Sequence, residues 1–138
     1  MSITVACLDA LLSPDPAQRH QAEDFLRAMT VEARAQALLQ ALDAVQGHHH
    51  QQLVAVLLRR EILKLSNEAL LKSMVDPLMT AFGSTQCTCR SAVGDCLAEV
   101  SGMLAITSPS DGLAVILRII ASAGTTVRSW LCFVCDYK

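Results

Sequence analysis

The composition of this chain favours a helical domain: of its 138 residues 52% are hydrophobic, 17% charged and 4% aromatic, and the formal net charge at pH 7 is −2. The apolar fraction is too high for a disordered chain. The small negative charge gives no electrostatic support for direct binding to nucleic acid, which needs clustered Lys and Arg. Because strands are enriched in aromatic and β-branched residues, the scarcity of aromatics favours helices packed on helices.

The sequence shows no sign of membrane insertion or secretion. A membrane-spanning helix needs roughly 18 or more apolar residues in a row, and the longest candidate, Leu113 to Ala123, contains Arg118. The N-terminus has no basic start and carries Asp9 within its apolar stretch, so we expect no signal peptide. We therefore expect no membrane partner, and we expect the six cysteines to be free thiols.

Apolar residues at helical spacing predict eight helices in one domain over residues 1–138, with no linker. The first four predicted helices are Ile3–Leu12, Asp15–Met29, Val31–Val45 and Gln51–Leu65. The others are Glu68–Phe82, Ser84–Leu104, Gly112–Ala121 and one that begins at Thr125. Their predicted capping residues are Asp15, Thr30, Asn67 and Ser110. Pro77 is expected to kink the fifth helix, and Ala55 and Ala92 to be buried where helices approach closely.

Similar helices recur along the chain at intervals of ~35–40 residues, which is the spacing of helical-hairpin repeats. One helix pair cannot bury its apolar face alone, so such pairs stack into a solenoid that offers a long surface to other macromolecules. We predict an all-α fold of about four antiparallel pairs, forming the front part of a longer solenoid. The last helix would carry Trp130, Leu131, Phe133 and Val134 as an uncovered apolar patch that promotes association.

Two motifs carry a resemblance to a known family. The stretch LLSPDPAQRHQAEDFL, residues 11–26, resembles the opening of the importin β (karyopherin β) nuclear transport receptors. The stretch QQLVAVLLRREI, residues 51–62, is similar to the second HEAT repeat of that family. The similarity extends over Ile3 to Leu104 and is closest to the importins that carry ribosomal proteins and histones. It implies a right-handed α-solenoid of HEAT-type pairs.

The resemblance also implies a function in nucleocytoplasmic protein import, located in the cytoplasm and nucleus. In that family the second helix of each pair lines the concave surface, and the first repeats bind the GTPase Ran in its GTP state. Cargo proteins would bind mainly through later repeats, which this chain lacks. By position, the candidate Ran-binding residues are Arg19, Gln52, Arg59, Arg60 and Arg90. No cofactor, metal or direct nucleic-acid contact is implied.

The four arginine candidates have simpler interpretations. Arg59 and Arg60 would favour the helix dipole at a C-terminus, and Arg19 and Arg90 would form hydrogen bonds between repeats. His48, His49 and His50 are expected in a solvated loop, because adjacent histidines cannot all converge on one ion. The alternative to Ran binding is a generic helical-repeat scaffold with another protein partner.

A zinc site formed by Cys87, Cys89, Cys132 and Cys135 is the less favoured alternative to core thiols, and Cys7 and Cys96 are predicted to lie in the core. The sequence contains no phosphate-binding loop and no catalytic elbow. We therefore expect no enzymatic activity.

Overall fold

The computed structural model describes residues 2–84 and 89–123, and these ranges are helical with no strand. The seven helices are α1 (Val5–Leu12), α2 (Pro16–Arg27), α3 (Val31–Ala44), α4 (His48–Ile62), α5 (Glu68–Gly83), α6 (Arg90–Thr107) and α7 (Pro109–Ala123). None of the described helices has the length and apolar content that a membrane crossing would need. The prediction of an all-α fold is confirmed, whereas the helix predicted from Thr125 lies outside the described residues.

Side-chain caps begin most of these helices. The predicted caps Asp15, Thr30 and Asn67 are confirmed, since each accepts a hydrogen bond from a backbone N–H in the first turn that would otherwise be unsatisfied. Ser110 is wrong as a cap. It lies inside α7, which begins at Pro109 because proline suits the first helical position, where no intrahelical N–H bond is needed. The seventh helix therefore begins before the predicted Gly112.

Two other helix starts differ from the prediction. Helix α4 begins at His48 instead of Gln51, so the three histidines form its first turn and the expected solvated loop is wrong. The extended backbone of Gly47 serves as the N-cap, and its carbonyl accepts from the N–H of Gln51 at 2.9 Å. Helix α6 begins at Arg90 instead of Ser84, because the extended backbone of Ser84 ends α5. Helix α5 continues through Pro77 to Gly83.

Neighbouring helices pack in two layers from Val31 onward. Along the chain α1 packs on α2, α3 on α4, α5 on α6 and α6 on α7. Across the array α3 contacts α5 and α5 contacts α7 in one layer, while α4 contacts α6 in the other. Helix α1 also contacts α4. Each helix of the second layer therefore follows, and packs on, a helix of the first.

One continuous apolar core lies between these layers. Its largest fully buried side chains include Leu8, Leu38, Leu58, Met74, Leu97 and Leu104. Ala55 and Ala92 are buried, as predicted. Helices α6 and α7 approach so closely that a Cβ added at Gly112 would lie 2.7 Å from the backbone nitrogen of Ala105. Glycine is therefore required at this crossing.

Candidate functional site

The exposed side of α4 carries three of the five candidate residues. Gln52, Arg59 and Arg60 share this side with the exposed apolar side chains of Val56 and Leu63, at the spacing of one helix face. A groove of about 300 Å³ opens between this side and α6. Its lining residues, called the α4–α6 groove below, are Gln52, Ala55, Val56, Arg59, Arg60, Leu63, Ser91, Ala92 and Asp95.

Small residues bring α4 and α6 together at the base of this groove. Ala55 is 1% exposed, and its carbonyl accepts a hydrogen bond from the thiol of Cys96 at 3.2 Å. Burial raises the pKa of the Cys96 thiol to about 12, and the nearby carboxylate of Asp95 contributes. The thiol is therefore protonated at neutral pH and serves as a small core group rather than a nucleophile, as predicted for this position.

Arg59 spans the two helices. Its Nη2 lies 3.1 Å from Oε1 of Glu99, and its Nη1 lies 3.8 Å from Oδ2 of Asp95, both on α6. Most of its charge is therefore balanced within the chain. The structure assigns Arg59 an inter-helix contact in addition to the favourable position near the helix C-terminus that the sequence suggested.

Arg60 differs from its neighbour. Its side chain is exposed, and within the described residues it makes no ion pair or side-chain hydrogen bond. It lies on the same helix face as Val56 and Leu63, which are 46% and 52% exposed. The rim of the groove thus presents a cation beside two aliphatic side chains that contact water.

Arg19 and Arg90 lie outside this groove and bind carbonyl groups. Each donates to the C-cap residue of the helix that precedes it, six residues earlier, and the side chain of Gln51 does the same in the middle pair. The three bonds are Arg19 Nη1 to Ser13 O at 3.0 Å, Gln51 Nε2 to Val45 O at 2.9 Å and Arg90 Nη2 to Ser84 O at 3.2 Å. The expected bonds between repeats are therefore wrong, because these side chains reach back to backbone carbonyl groups of their own helix pair.

Gln51 is a residue that sequence reasoning missed. Arg19, Gln51 and Arg90 each stand six residues after the C-cap residue of the preceding helix, and seven residues after each stands a buried leucine. The three leucines are Leu26, Leu58 and Leu97. Alignment of the helices on these leucines, instead of on their arginines, would have revealed that a glutamine replaces arginine in the middle pair.

A buried ion pair between α3 and α4 was also missed. Nη2 of Arg34 lies 2.9 Å from Oε2 of Glu61, and Nζ of Lys64 lies 3.2 Å from the other carboxylate oxygen. Arg34 also donates from Nη1 to the carbonyl of Leu26 at 2.8 Å. The pair meets the distance of an ion pair but not the alignment of a hydrogen bond, since Oε2 of Glu61 has no hydrogen-bond partner within the described residues.

Within residues 2–84 and 89–123, the histidines and cysteines form no cluster suited to a metal. Nε2 of His50 lies 2.7 Å from Oδ1 of Asp9, which joins α4 to α1. In the described part of the chain, no group of three or more His, Cys, Asp or Glu side chains could hold an ion. Cys89 and Cys96 are buried, and Cys7 is partly buried. The candidates Cys87, Cys132 and Cys135 lie outside the described residues.

Comparisons of this chain with protein-family models, with curated proteins and with solved structures found no match.

Proposed function

We propose that this chain is a protein-binding helical-repeat domain whose partner is Ran in its GTP state, and that it takes part in nucleocytoplasmic protein import. In this proposal the helix pairs form a right-handed α-solenoid of the HEAT type, and the second-layer helices carry the partner surface. The two motifs that resemble the importin β family supply the identity of the partner. The function is binding, with cargo proteins engaged mainly outside these repeats and with activity in the cytoplasm and nucleus.

The observation that carries the proposal is the composition of the α4–α6 groove. Protein interfaces are enriched in arginine beside apolar side chains and depleted of lysine and glutamate. Arg60, with no ion pair in the described residues and with Val56 and Leu63 on the same face, fits that composition. A carboxylate of the partner that meets Arg60 would gain a partly desolvated ion pair, while its apolar neighbours would cover the two aliphatic side chains.

The repeated hydrogen bond supports the solenoid part of the proposal. Three successive helix pairs use the same six-residue reach from the second helix to the C-cap carbonyl of the first. Equivalent bonds at equivalent places are expected when a chain is built from repeats that stack on their neighbours. Arg19 and Arg90 then hold the turns of their own pairs, as Gln51 does in the middle pair.

The candidates that remain for direct contact are Gln52, Arg59 and Arg60.

The alternative is a generic helical-repeat scaffold whose partner is another protein. It shares the groove and the solenoid but predicts no dependence on a guanine nucleotide. A titration distinguishes the two proposals. It compares the affinity of the purified chain for Ran loaded with a non-hydrolysable GTP analogue and for Ran loaded with GDP. The Ran proposal expects tighter binding to the GTP form.

A pair of charge reversals tests the groove. Arg60→Glu should weaken binding to GTP-loaded Ran by about tenfold or more, because a favourable contact becomes repulsive. Arg118→Glu is the matched control, since Arg118 is also exposed and lies on α7, where its Nη1 is 2.8 Å from Oδ1 of Asp76. It should leave the affinity within about twofold, a difference of roughly 0.4 kcal/mol.

Equal binding to the two nucleotide forms, or none, contradicts the Ran proposal and leaves the scaffold alternative. GTP-dependent binding that Arg60→Glu does not change contradicts the α4–α6 groove as the contact surface. Thermal unfolding of each variant shows whether a lost interaction reflects the surface or the fold.

A further inference from the structure

Arg59 lines the α4–α6 groove, but its side-chain hydrogen bonds run to the neighbouring helix. Its Nε and Nη2 donate to the same oxygen of Glu99, Oε1, at 3.3 Å and 3.1 Å. Its Nη1 lies 3.8 Å from Oδ2 of Asp95, a distance too long for a hydrogen bond. Glu99 is therefore the residue that holds the guanidinium of Arg59 against α6.

This contact changes the charge that the groove offers to a partner. Arg59, Arg60, Asp95 and Glu99 bring two charges of each sign to the same place. A carboxylate of a partner would be attracted by the two arginines and repelled by the two carboxylates of α6. Glu99 thus opposes an acidic partner twice, because it balances the charge of Arg59 and because it carries the same sign as the partner.

The hold on Arg59 is open to water. The side chains of Arg59 and Glu99 are 48% and 28% exposed, and solvent screens an ion pair of this kind, so it contributes little to the stability of the fold. A partner that covers the groove excludes water and strengthens any ion pair formed beneath it. The guanidinium has five N–H donors on a long side chain, so it can turn from Glu99 to the partner without a change in the backbone.

We propose that Glu99 restrains Arg59 in the free chain and that an acidic group of the partner takes over this guanidinium on binding, an inference that rests on the proposed function of the α4–α6 groove. A contact that must break before a surface can bind lowers the affinity of that surface. Glu99 is then a residue that limits affinity. Its removal should strengthen binding, which is the opposite of what removal of a residue that contacts the partner favourably would do.

The change Glu99→Ala removes the carboxylate and keeps a residue that favours a helix. The affinity for Ran loaded with a non-hydrolysable GTP analogue should rise about threefold to fivefold, the range that the loss of one exposed ion pair allows. Glu68→Ala is the matched control, since Glu68 is 39% exposed and its Oε1 lies 2.7 Å from Nζ of Lys72 on α5. This control removes the same charge from the other layer and should leave the affinity within about twofold.

A double-mutant cycle shows whether Glu99 acts through Arg59. In a chain that already carries Arg59→Gln there is no guanidinium to release, so the further change Glu99→Ala should raise the affinity by less than about twofold. If Glu99→Ala raises the affinity equally with and without Arg59, the carboxylate acts only by repelling the partner, and the proposed restraint is wrong.

The free chain tests the restraint without any partner. The Nε–H of Arg59 donates to Glu99 in the folded chain, so its exchange with water, measured by NMR, should be severalfold slower in the wild type than in Glu99→Ala. Saturation with GTP-loaded Ran should leave this exchange slow in both proteins, because the partner then accepts from Arg59. Equal exchange in the two free proteins would show that Glu99 does not hold the guanidinium.

The outcomes separate this inference from the proposed function. GTP-dependent binding that Glu99→Ala leaves unchanged or weakens contradicts the restraint and leaves the proposed function intact. If neither the wild type nor Glu99→Ala prefers the GTP form of Ran, the proposed function is wrong and the effect of Glu99 on affinity is rejected with it. Thermal unfolding of each variant shows whether a change in affinity reflects the groove or the fold.

Discussion

Two of the ionic clusters that join neighbouring helices of this molecule, called the inner and the outer cluster below, differ in how much water reaches them. In the inner cluster Arg34 of α3 contacts Glu61 of α4, which also contacts Lys64; the first two side chains are 15% and 10% exposed. In the outer cluster Arg59 of α4 contacts Glu99 and Asp95 of α6, and the Arg59 and Glu99 side chains are 48% and 28% exposed. The closest distances are nearly equal, 2.9 Å and 3.1 Å.

Because the distances are similar, burial decides what each cluster contributes. The inner charges have lost most of their hydration, so removal of one partner leaves the other buried and unbalanced. The outer charges keep much of their hydration, and solvent screens their attraction. The inner cluster therefore fixes how α2, α3 and α4 meet, whereas the outer cluster mainly sets the charge of the α4–α6 groove. A partner-binding surface can vary at the outer cluster without loss of the fold.

The largest effect is expected from Glu61→Gln, which keeps the shape of the side chain and removes its charge. Arg34 would then be buried without its counter-ion, and loss of one member of a buried ion pair costs about 3–5 kcal/mol. We expect the free energy of unfolding in urea to fall by that amount, with helical content retained at low temperature. A loss below about 1 kcal/mol would show that the inner cluster contributes no more to stability than a solvent-exposed ion pair does.

The double variant Arg34→Met with Glu61→Leu removes both charges. It therefore distinguishes the cost of one unbalanced buried charge from the contribution of the intact ion pair to the free energy of unfolding. Apolar replacement of both members of a buried pair is often neutral or stabilising. We therefore expect the double variant to be more stable than Glu61→Gln, although Arg34 would also lose its bond to the carbonyl of Leu26. If the double variant is the less stable of the two, the attraction between the charges outweighs their desolvation.

Helix caps formed by side chains could be predicted from the sequence, whereas a cap formed by the backbone alone could not. Helix caps were predictable at Asp15, Thr30 and Asn67 because each depends on a side chain and a backbone group three residues apart or less. The extra turn of α4 over the histidines was not, since Gly47 caps it with no side-chain bond. Local chemistry is visible in the sequence, whereas a cap formed by the backbone alone leaves little trace.

Contacts between helices were harder to predict from the sequence than helix caps. Arg34 and Glu61 are 27 positions apart on different helices, and their pairing depends on how α3 rotates against α4. Arg59 and Glu99 are 40 positions apart, and the sequence made Arg59 a candidate for partner binding without showing that its charge is balanced by α6. The family resemblance made both arginines candidates by position, but could not distinguish the paired Arg59 from Arg60.

A small effect is expected from Arg59→Gln, which removes the charge from the outer cluster. Exposed ion pairs contribute about 0–1 kcal/mol, so the free energy of unfolding in urea should fall by less than about 1 kcal/mol. The difference from the wild type should shrink as salt is added, because the screening length falls to ~3 Å near 1 M. A loss as large as that of Glu61→Gln would show that the outer cluster holds α4 and α6 together.

The smallest effect is expected where both charges are well exposed, at Lys72 of α5. Its Nζ lies 2.7 Å from Oε1 of Glu68 and 3.0 Å from Oδ2 of Asp111, which also accepts from the hydroxyl of Ser108 at 2.6 Å. The Ser108 hydroxyl and the Lys72 ammonium lower the pKa of Asp111. Hydrogen bonds to Glu68 and Asp111 raise the pKa of Lys72. The two shifts predict opposite pH dependences.

A carboxyl group with a lowered pKa in the folded chain stabilises the fold above its unfolded pKa and loses that contribution as the pH falls through the folded value. The difference in unfolding free energy between the wild type and Asp111→Asn should therefore be complete at neutral pH and vanish in acid. For Lys72 the contribution is complete below its unfolded pKa and is lost as the pH rises through the raised folded value, so the difference from Lys72→Met should also shrink in strong alkali. The free energy of unfolding in urea, measured across the pH range for both variants and the wild type, gives both pH dependences. A difference for Asp111→Asn that stays constant into acid would show that this carboxylate is not stabilised by Ser108 and Lys72 in the folded chain.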